Sequence, residues 1–428
     1  MANFKTYFFL VFIFTSTLLS ARVTKKDVLS VENGKFMLDG KPFVEISFNK
    51  FDLFWSLWDE AVNGKELNDY NPVVMRQQKA LSDLSKAGFK TIRFFGTVHE
   101  TKFKFFRKVY ENDANSEKIY YQAIDKAIEL LEKNNLRAVF SLGCATFIDE
   151  ESGEQLRELV SNPASKSRKM LNNYIDDIVS RYKNSKAILM WEVTNELTLF
   201  WDVQPGTLES NGKRRPTMDA SIQFYKDVIA RIKKKDPIRI VNSGGSMLRE
   251  SAYNLNVNKK WTKDTYPQQL EMYRKMHEGT FNLIDIHYYT SSNPGYFMRD
   301  EITGKDAVLD LPVYMKIADA LKLPLYVGEY GALPKPKKDN VFWGDGREWF
   351  LTFGKDEPDA LKYVQRAADM AVESGVTFMH WWCYQSDRAM DQKDPLRMDF
   401  DIERTPKLFQ IVVDANKRLK EKYGSLNH

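Results

Sequence analysis

The chain has 428 residues, 43% hydrophobic and 28% charged, the balance of a globular protein with a large core. Its formal charge is +5, with acids and bases well mixed. The one basic run, Lys233-Lys234-Lys235, falls at the end of an expected helix and suits its dipole, so nothing points to nucleic acid.

The N-terminus reads as a secretory signal peptide over residues 1–21. Lys5 opens it, 7–19 is almost wholly apolar, and Ser20-Ala21 offers small residues for cleavage. The run is too short for a comfortable membrane span. An uncleaved anchor is the alternative, because Leu19 stands three places before the cut. The expected location is therefore secreted or periplasmic, with no membrane association after cleavage, and the mature chain, 22–428, is expected to be a single catalytic domain and a monomer. Cys144 and Cys383 belong to strands that should not be neighbours and read as unpaired thiols. No Asn-x-Ser/Thr site is present.

Two turn signals, Asn33-Gly34 and Asp39-Gly40, flank a short strand and predict an N-terminal β-hairpin. Eight strand-like runs follow, at 43–49, 91–95, 137–143, 187–194, 238–243, 283–289, 324–328 and 376–382. Helical patterns separate them, the clearest at 72–87, 117–134, 166–182, 218–234, 312–321 and 358–374. A weaker one lies at 267–277, and 405–423 closes the chain. Strands that are apolar throughout and alternate with helices predict a parallel sheet covered on both faces. Helix-to-strand links are short and strand-to-helix links are long, as at 50–71, 197–217, 244–266, 290–311 and 330–357. Long loops on one face alone predict an α/β fold, a (β/α)8 TIM barrel with an elaborated site at the C-terminal ends of its strands.

The expected fourth strand ends Trp191-Glu192-Val193-Thr194-Asn195-Glu196, and the seventh ends Leu325-Tyr326-Val327-Gly328-Glu329-Tyr330-Gly331. Each puts a glutamate at a strand tip. Cleavage of a glycosidic bond needs one carboxyl as general acid and another as nucleophile or base. Glu196 is the expected acid/base, its pKa raised by partial burial or by the charge of Glu329. Glu329 is the expected nucleophile, with the small Gly328 leaving room beside it. Arg93 at the second strand tip would keep Glu329 ionised, since an apolar strand carries an arginine only if it is paired. Tyr289 could donate to the same carboxylate, and His287 could set the charge around Glu196. Asn195 could bond the hydroxyl beside the reacting carbon. Trp382 is the favoured floor under the sugar, with Trp381 the alternative, and His380 reads as a satisfied core histidine. Trp55, Trp58, Trp201, Trp261, Trp343 and Trp349 are candidate sugar platforms or loop packing. Asn242-Ser243-Gly244-Gly245-Ser246 lacks phosphate-loop spacing and reads as a tight strand exit. No metal-ligand spacing is present, and the chemistry needs neither metal nor cofactor.

Together these residues resemble the retaining glycoside hydrolases of clan A, and most of all glycoside hydrolase family 5, the cellulase and mannanase family. The resemblance covers nearly the whole mature chain: Thr91-Ile92-Arg93, Trp191 to Glu196, His287-x-Tyr289, Val327 to Gly331 and Trp382-x-Tyr384. It implies an endo-acting β-1,4-mannanase or endoglucanase on a β-linked glycan, and the Trp191-Glu192-x-x-Asn195-Glu196 form leans towards mannanases. Exo action or transglycosylation on short oligosaccharides is one alternative, and a catalytically silent glycan-binding barrel is another. Two departures leave the sugar open. Ser141-Leu142-Gly143-Cys144 lacks the family's usual third-strand histidine, and Leu197 stands where many members have proline.

Overall fold

Two-residue turns shape the N-terminal sheet. Asn33 and Gly34, then Asp39 and Gly40, all take positive φ, between 51° and 73°, the conformation that a tight hairpin turn requires. They join β1 (Ser30–Glu32), β2 (Lys35–Leu38) and β3 (Lys41–Pro42) into a three-stranded antiparallel sheet. The computed structural model describes residues 23–97, 114–143, 148, 151–200, 215–290, 297–332, 357–385 and 400–425. The signal segment, Cys144, Trp201, Trp343 and Trp349 lie outside the described residues.

Eight parallel strands form the main sheet in the order β8-β7-β6-β5-β4-β13-β12-β9. They are β4 (Glu45–Asn49), β5 (Thr91–Phe95), β6 (Arg137–Ser141), β7 (Ile188–Glu192), β8 (Val241–Asn242), β9 (Ile284–Thr290), β12 (Leu325–Ala332) and β13 (Phe378–Trp381). With its surrounding helices this sheet is a nearly closed (β/α)8 barrel, as the alternation predicts. Its seam lies between β8 and β9, which share no ladder. The expected fifth strand shrinks to two residues there. The strand-to-helix links hold elements that composition did not signal: the helices Leu53–Val62 and Leu156–Ser161, and a hairpin of β10 (Phe297–Arg299) with β11 (Asp306–Val308). No described helix is long and apolar enough to cross a membrane.

Alternate strand residues sort into two cores. Ile46, Phe48, Ile92, Phe94, Ile284, Ile286 and Tyr288 face the helices. The interior is apolar at its lower end, where Val139, Met190, Ile240, Leu283, Tyr326 and Phe378 pack against Phe36 and Phe43 of the N-terminal segment. Phe36 and Phe43 both meet Phe378 edge-on, at 5.7 and 5.0 Å between centroids. The hairpin thus plugs the end of the barrel away from the long loops. Above the plug the interior turns polar. Thr91 Oγ1 donates to Glu45 Oε2 at 2.5 Å, so His380 Nε2, 3.2 Å from the same hydroxyl, acts as donor and leaves Nδ1 to accept from Tyr326 at 2.9 Å. His380 is fully buried with both nitrogens engaged, and burial with the nearby Arg93 pushes its pKa well down.

Beneath β7 and β8 a buried ion pair ties the strands together. Arg239 binds Asp236 at 2.6 Å and donates to the carbonyls of Ile188, Lys183 and Ser185, while Trp191 Nε1 donates to Asp236 at 2.9 Å. Arg239→Met would leave Asp236 without its ion-pair partner and three carbonyls short of a donor. We expect a loss of about 3–5 kcal/mol in urea unfolding, the cost of breaking a buried pair, with folded protein still active. An unchanged midpoint would remove this clamp from the account.

Candidate active site

An arginine inside a barrel must find its counter-charges there. Arg93 is completely buried, and five acceptors from four residues surround it. Nε lies 3.1 and 3.0 Å from the two Glu192 oxygens, and Nη2 reaches Glu192 Oε1 at 2.7 Å. Nη2 also donates to Asn195 Oδ1 at 2.7 Å, and Nη1 donates to Asn49 Oδ1 at 2.9 Å and to Glu329 Oε1 at 3.0 Å. Burial alone would weaken the guanidinium as a cation. Glu192 and Glu329 outweigh that and raise its pKa above the usual arginine range.

Glu329 points inward because β12 carries a bulge. Tyr326 faces the interior and Val327 the helices, so strict alternation would turn Glu329 outward with Val327. The register with β9 shifts between Val327 and Glu329, which brings Glu329 opposite His287. Gly328 occupies the bulge. A Cβ there would lie 3.0 Å from His287 Nε2, so the glycine makes room for the imidazole. Asn49 Nδ2 donates to the Gly328 carbonyl at 3.0 Å while Asn49 Oδ1 takes Arg93, so one amide ties the bulge to the guanidinium. Tyr289 donates its hydroxyl to Glu329 Oε2 at 2.5 Å. Burial first, and then the charge of Glu329, push its pKa well up, which keeps it a donor.

Glu196 sits across from Glu329 with a positive φ of 53°, a conformation rare outside glycine and asparagine. Its N–H donates to the Gly244 carbonyl at 2.7 Å. Its carboxylate meets His287 Nδ1 at 3.0 Å, and the same nitrogen is 3.4 Å from Glu329 Oε1. Its side chain is 28% exposed against 7% for Glu329, so Glu196 is the more open of the two. Glu196, His287 and Glu329 offer ligand atoms all within 4.8 Å of one another, close enough to hold a cation. Arg93 already supplies a fixed positive charge to that cluster.

The structure therefore gathers Arg93, Asn195, Glu196, His287, Tyr289 and Glu329 in one place. Trp382 stands beside them, stacked on Phe51 at 4.8 Å and 12°, whereas Trp381 is fully buried against Tyr330 on the helix side. On the helix Leu53–Val62, Trp58 is buried and Trp55 partly buried in the main core, and Trp261 is 69% exposed. Two site residues were given no role in the sequence reading, Asn49 and Glu192. The signal was there for Glu192: one buried arginine at a strand tip needs a partner, and Glu192 is the only acid within the fourth barrel strand.

One expectation is corrected. A raised Glu196 pKa followed from burial and a neighbouring carboxylate. Burial does push it up, but the His287 hydrogen bond and charge, with Arg93 behind, outweigh burial and lower it. Burial pushes His287 down, but Glu329 and Glu196 outweigh that and raise it. In the resting site the proton thus rests on the imidazole, and the two residues titrate as a unit holding one proton. The ion pair is complete only between the lowered carboxylate and raised imidazole values. It supports folding in that window and loses its contribution as pH falls through the first or rises through the second.

A family model described as Cellulase (glycosyl hydrolase family 5) matches residues 49–385. No curated protein matches the chain by sequence. Among solved structures, a glycoside hydrolase family 5 mannosidase from Rhizomucor miehei is similar with a TM-score of 0.60 and 16% identity, covering 93% of this chain and 99% of that one. An endo-1,4-beta-mannanase from the same organism gives 0.57 and 13%, over 92% and 99%. A beta-1,4-mannanase from the sea hare Aplysia kurodai gives 0.52 and 14%, over 94% and 99%.

If the Glu196–His287 pair supplies the proton, kcat/KM should fall as pH rises through the raised His287 value, above 6.5. His287→Gln leaves the proton to Glu196 alone, so the alkaline limb should move to lower pH. A limb that stays where it was would exclude His287 from the acid.

Proposed function

The chain belongs to glycoside hydrolase family 5, and from that premise we propose that it hydrolyses β-linked glycans with retention of configuration, acting on β-1,4-mannan or its oligosaccharides. The observation that carries the reading is the separation of the two carboxylates. Oxygens of Glu196 and Glu329 lie within 4.8 Å of each other. A retaining pair stands about 5–5.5 Å apart, and an inverting pair about 6.5–9.5 Å apart to admit a water between them. A solvated carboxylate, Glu196, faces a buried one already oriented by Arg93 and Tyr289, which suits an acid/base opposite a nucleophile.

The steps follow from these positions. A Glu329 oxygen attacks the anomeric carbon as the bond to the glycosidic oxygen breaks. The Glu196–His287 pair delivers its one proton through Glu196 to that oxygen, and the shortened glycan leaves as an alcohol. Water then attacks the same carbon, Glu196 takes its proton, and Glu329 departs as a carboxylate. Asn195 Oδ1 accepts from Arg93, which turns the Asn195 amide N–H groups outward as donors for the sugar hydroxyl beside the reacting carbon. Arg93 and Tyr289 each donate to one of the two Glu329 oxygens and so orient the carboxylate. Trp382 presents a flat apolar face next to these groups.

Support for a mannose-based substrate is the set of structural neighbours, whose names are mannosidase and mannanase. A panel of β-mannan, β-glucan and xylan tests it, with product sizes followed over time and the first-formed anomer read by NMR. We expect β-anomer products from mannan, and intermediate sizes if action is internal. Release of single sugars alone would make the enzyme exo-acting. An α-anomer as first product would overturn the mechanism, and inertness on all three polymers and their oligosaccharides would favour a binding barrel.

A further inference from the structure

We propose that Asp285 is a positioning residue for Glu196, acting across the seam of the barrel through the loop that follows β8. The inference rests on the reading of Glu196 as acid/base. It starts from two irregular backbone segments, 194–196 and 243–246, held against each other. Thr194 N–H donates to the Ser243 carbonyl at 3.3 Å, and Glu196 N–H to the Gly244 carbonyl at 2.7 Å. Gly244 has a φ of 70°, and a Cβ on it would fall 1.7 Å from the Thr194 carbonyl, so only glycine permits this approach.

A left-handed glutamate is strained and persists only where its surroundings hold it. The surroundings here are the 243–246 loop, so the question becomes what holds the loop. On one side it has β7, paired to β8 over two residues only. On the other side lies the seam, where β8 and β9 share no ladder. The Asp285 carboxylate of β9 takes the place of that ladder. It accepts from Ser243 N–H at 3.3 Å, from Ser243 Oγ at 2.7 Å and from Gly245 N–H at 2.6 Å. Burial pushes its pKa up, but His277, 3.8 Å away, and these donors outweigh burial and keep it ionised, the form that accepts every bond. A carboxylate thus does what strand pairing does elsewhere, and does it where the acid/base is anchored.

A purely structural clamp and a positioning residue differ in which substrates suffer. General acid help matters for a poor leaving group and not for one that leaves unprotonated. The variants are Asp285→Asn, which keeps the volume and spoils one acceptor, and Ser243→Ala, which removes one strut of the same clamp. The probes are the phenyl and 2,4-dinitrophenyl β-glycosides of the sugar that the wild type cleaves, with kcat/KM reporting the bond-breaking step. We expect Asp285→Asn to lose about 10-fold or more on the phenyl glycoside and less than about 3-fold on the dinitrophenyl one, with Ser243→Ala showing the same split more weakly. Equal losses on both glycosides, or no loss on either, would overturn the proposal alone. Wild-type protein inert to both classes of glycoside would overturn the functional reading, and this proposal with it.

Discussion

Arg93 is the constraint on which the site depends. A guanidinium inside a barrel is costly unless every donor is met, and meeting them dictates what else stands at the same height. Glu192 takes the largest share of the charge. With Glu192 in place, Glu329 need not neutralise Arg93 alone, as the proposed nucleophilic role requires. Asn195 and Asn49 fill the remaining directions, and each thereby has its amide orientation fixed. One buried cation so holds the Glu329 carboxylate, fixes the facing of the Asn195 amide and anchors a bulge through Asn49.

Irregular backbone at the strand tips supplies what regular strands cannot. The bulge at Gly328 reverses the facing of Glu329, and the left-handed turn at Glu196 swings that side chain towards it. The Trp382–Cys383 peptide, at the tip of the neighbouring strand, is cis. These departures cluster at the end of the barrel with long loops, while the opposite end is sealed by Phe36, Phe43 and Phe378. The apolar plug and the polar rim divide the work: one end carries packing, the other carries chemistry.

The barrel was legible because its signals are long and repeated. Buried strands and 3.6-period helices recur eight times, and most boundaries agree within a few residues. The short fifth strand was not legible, because Ile238-Arg239-Ile240 reads as strand while Arg239 is taken up by Asp236 and three carbonyls. Glu196 and Glu329 were found as strand-tip acids, yet period-two alternation could not give the facing of Glu329, since the bulge that sets it has no pattern beyond one glycine. Glu192 was passed over as part of a motif rather than counted as a charge. The lowered Glu196 pKa was out of reach because it turns on a 3.0 Å contact with His287. Asp285 carried no motif at all. Its role arises only where two strands fail to pair.

A Glu329 carboxylate oxygen forms the covalent bond to sugar in the proposed mechanism, and trapping that bond tests it most directly. A 2,4-dinitrophenyl 2-deoxy-2-fluoro-β-glycoside of the cleaved sugar slows release from the enzyme more than attachment to it. Mass spectrometry of the protein should show one added fluorosugar, and peptide mapping should locate it on Glu329, with none on the Glu329→Ala variant. A label on Glu196 or Glu192, or turnover without any covalent adduct, would contradict the mechanism.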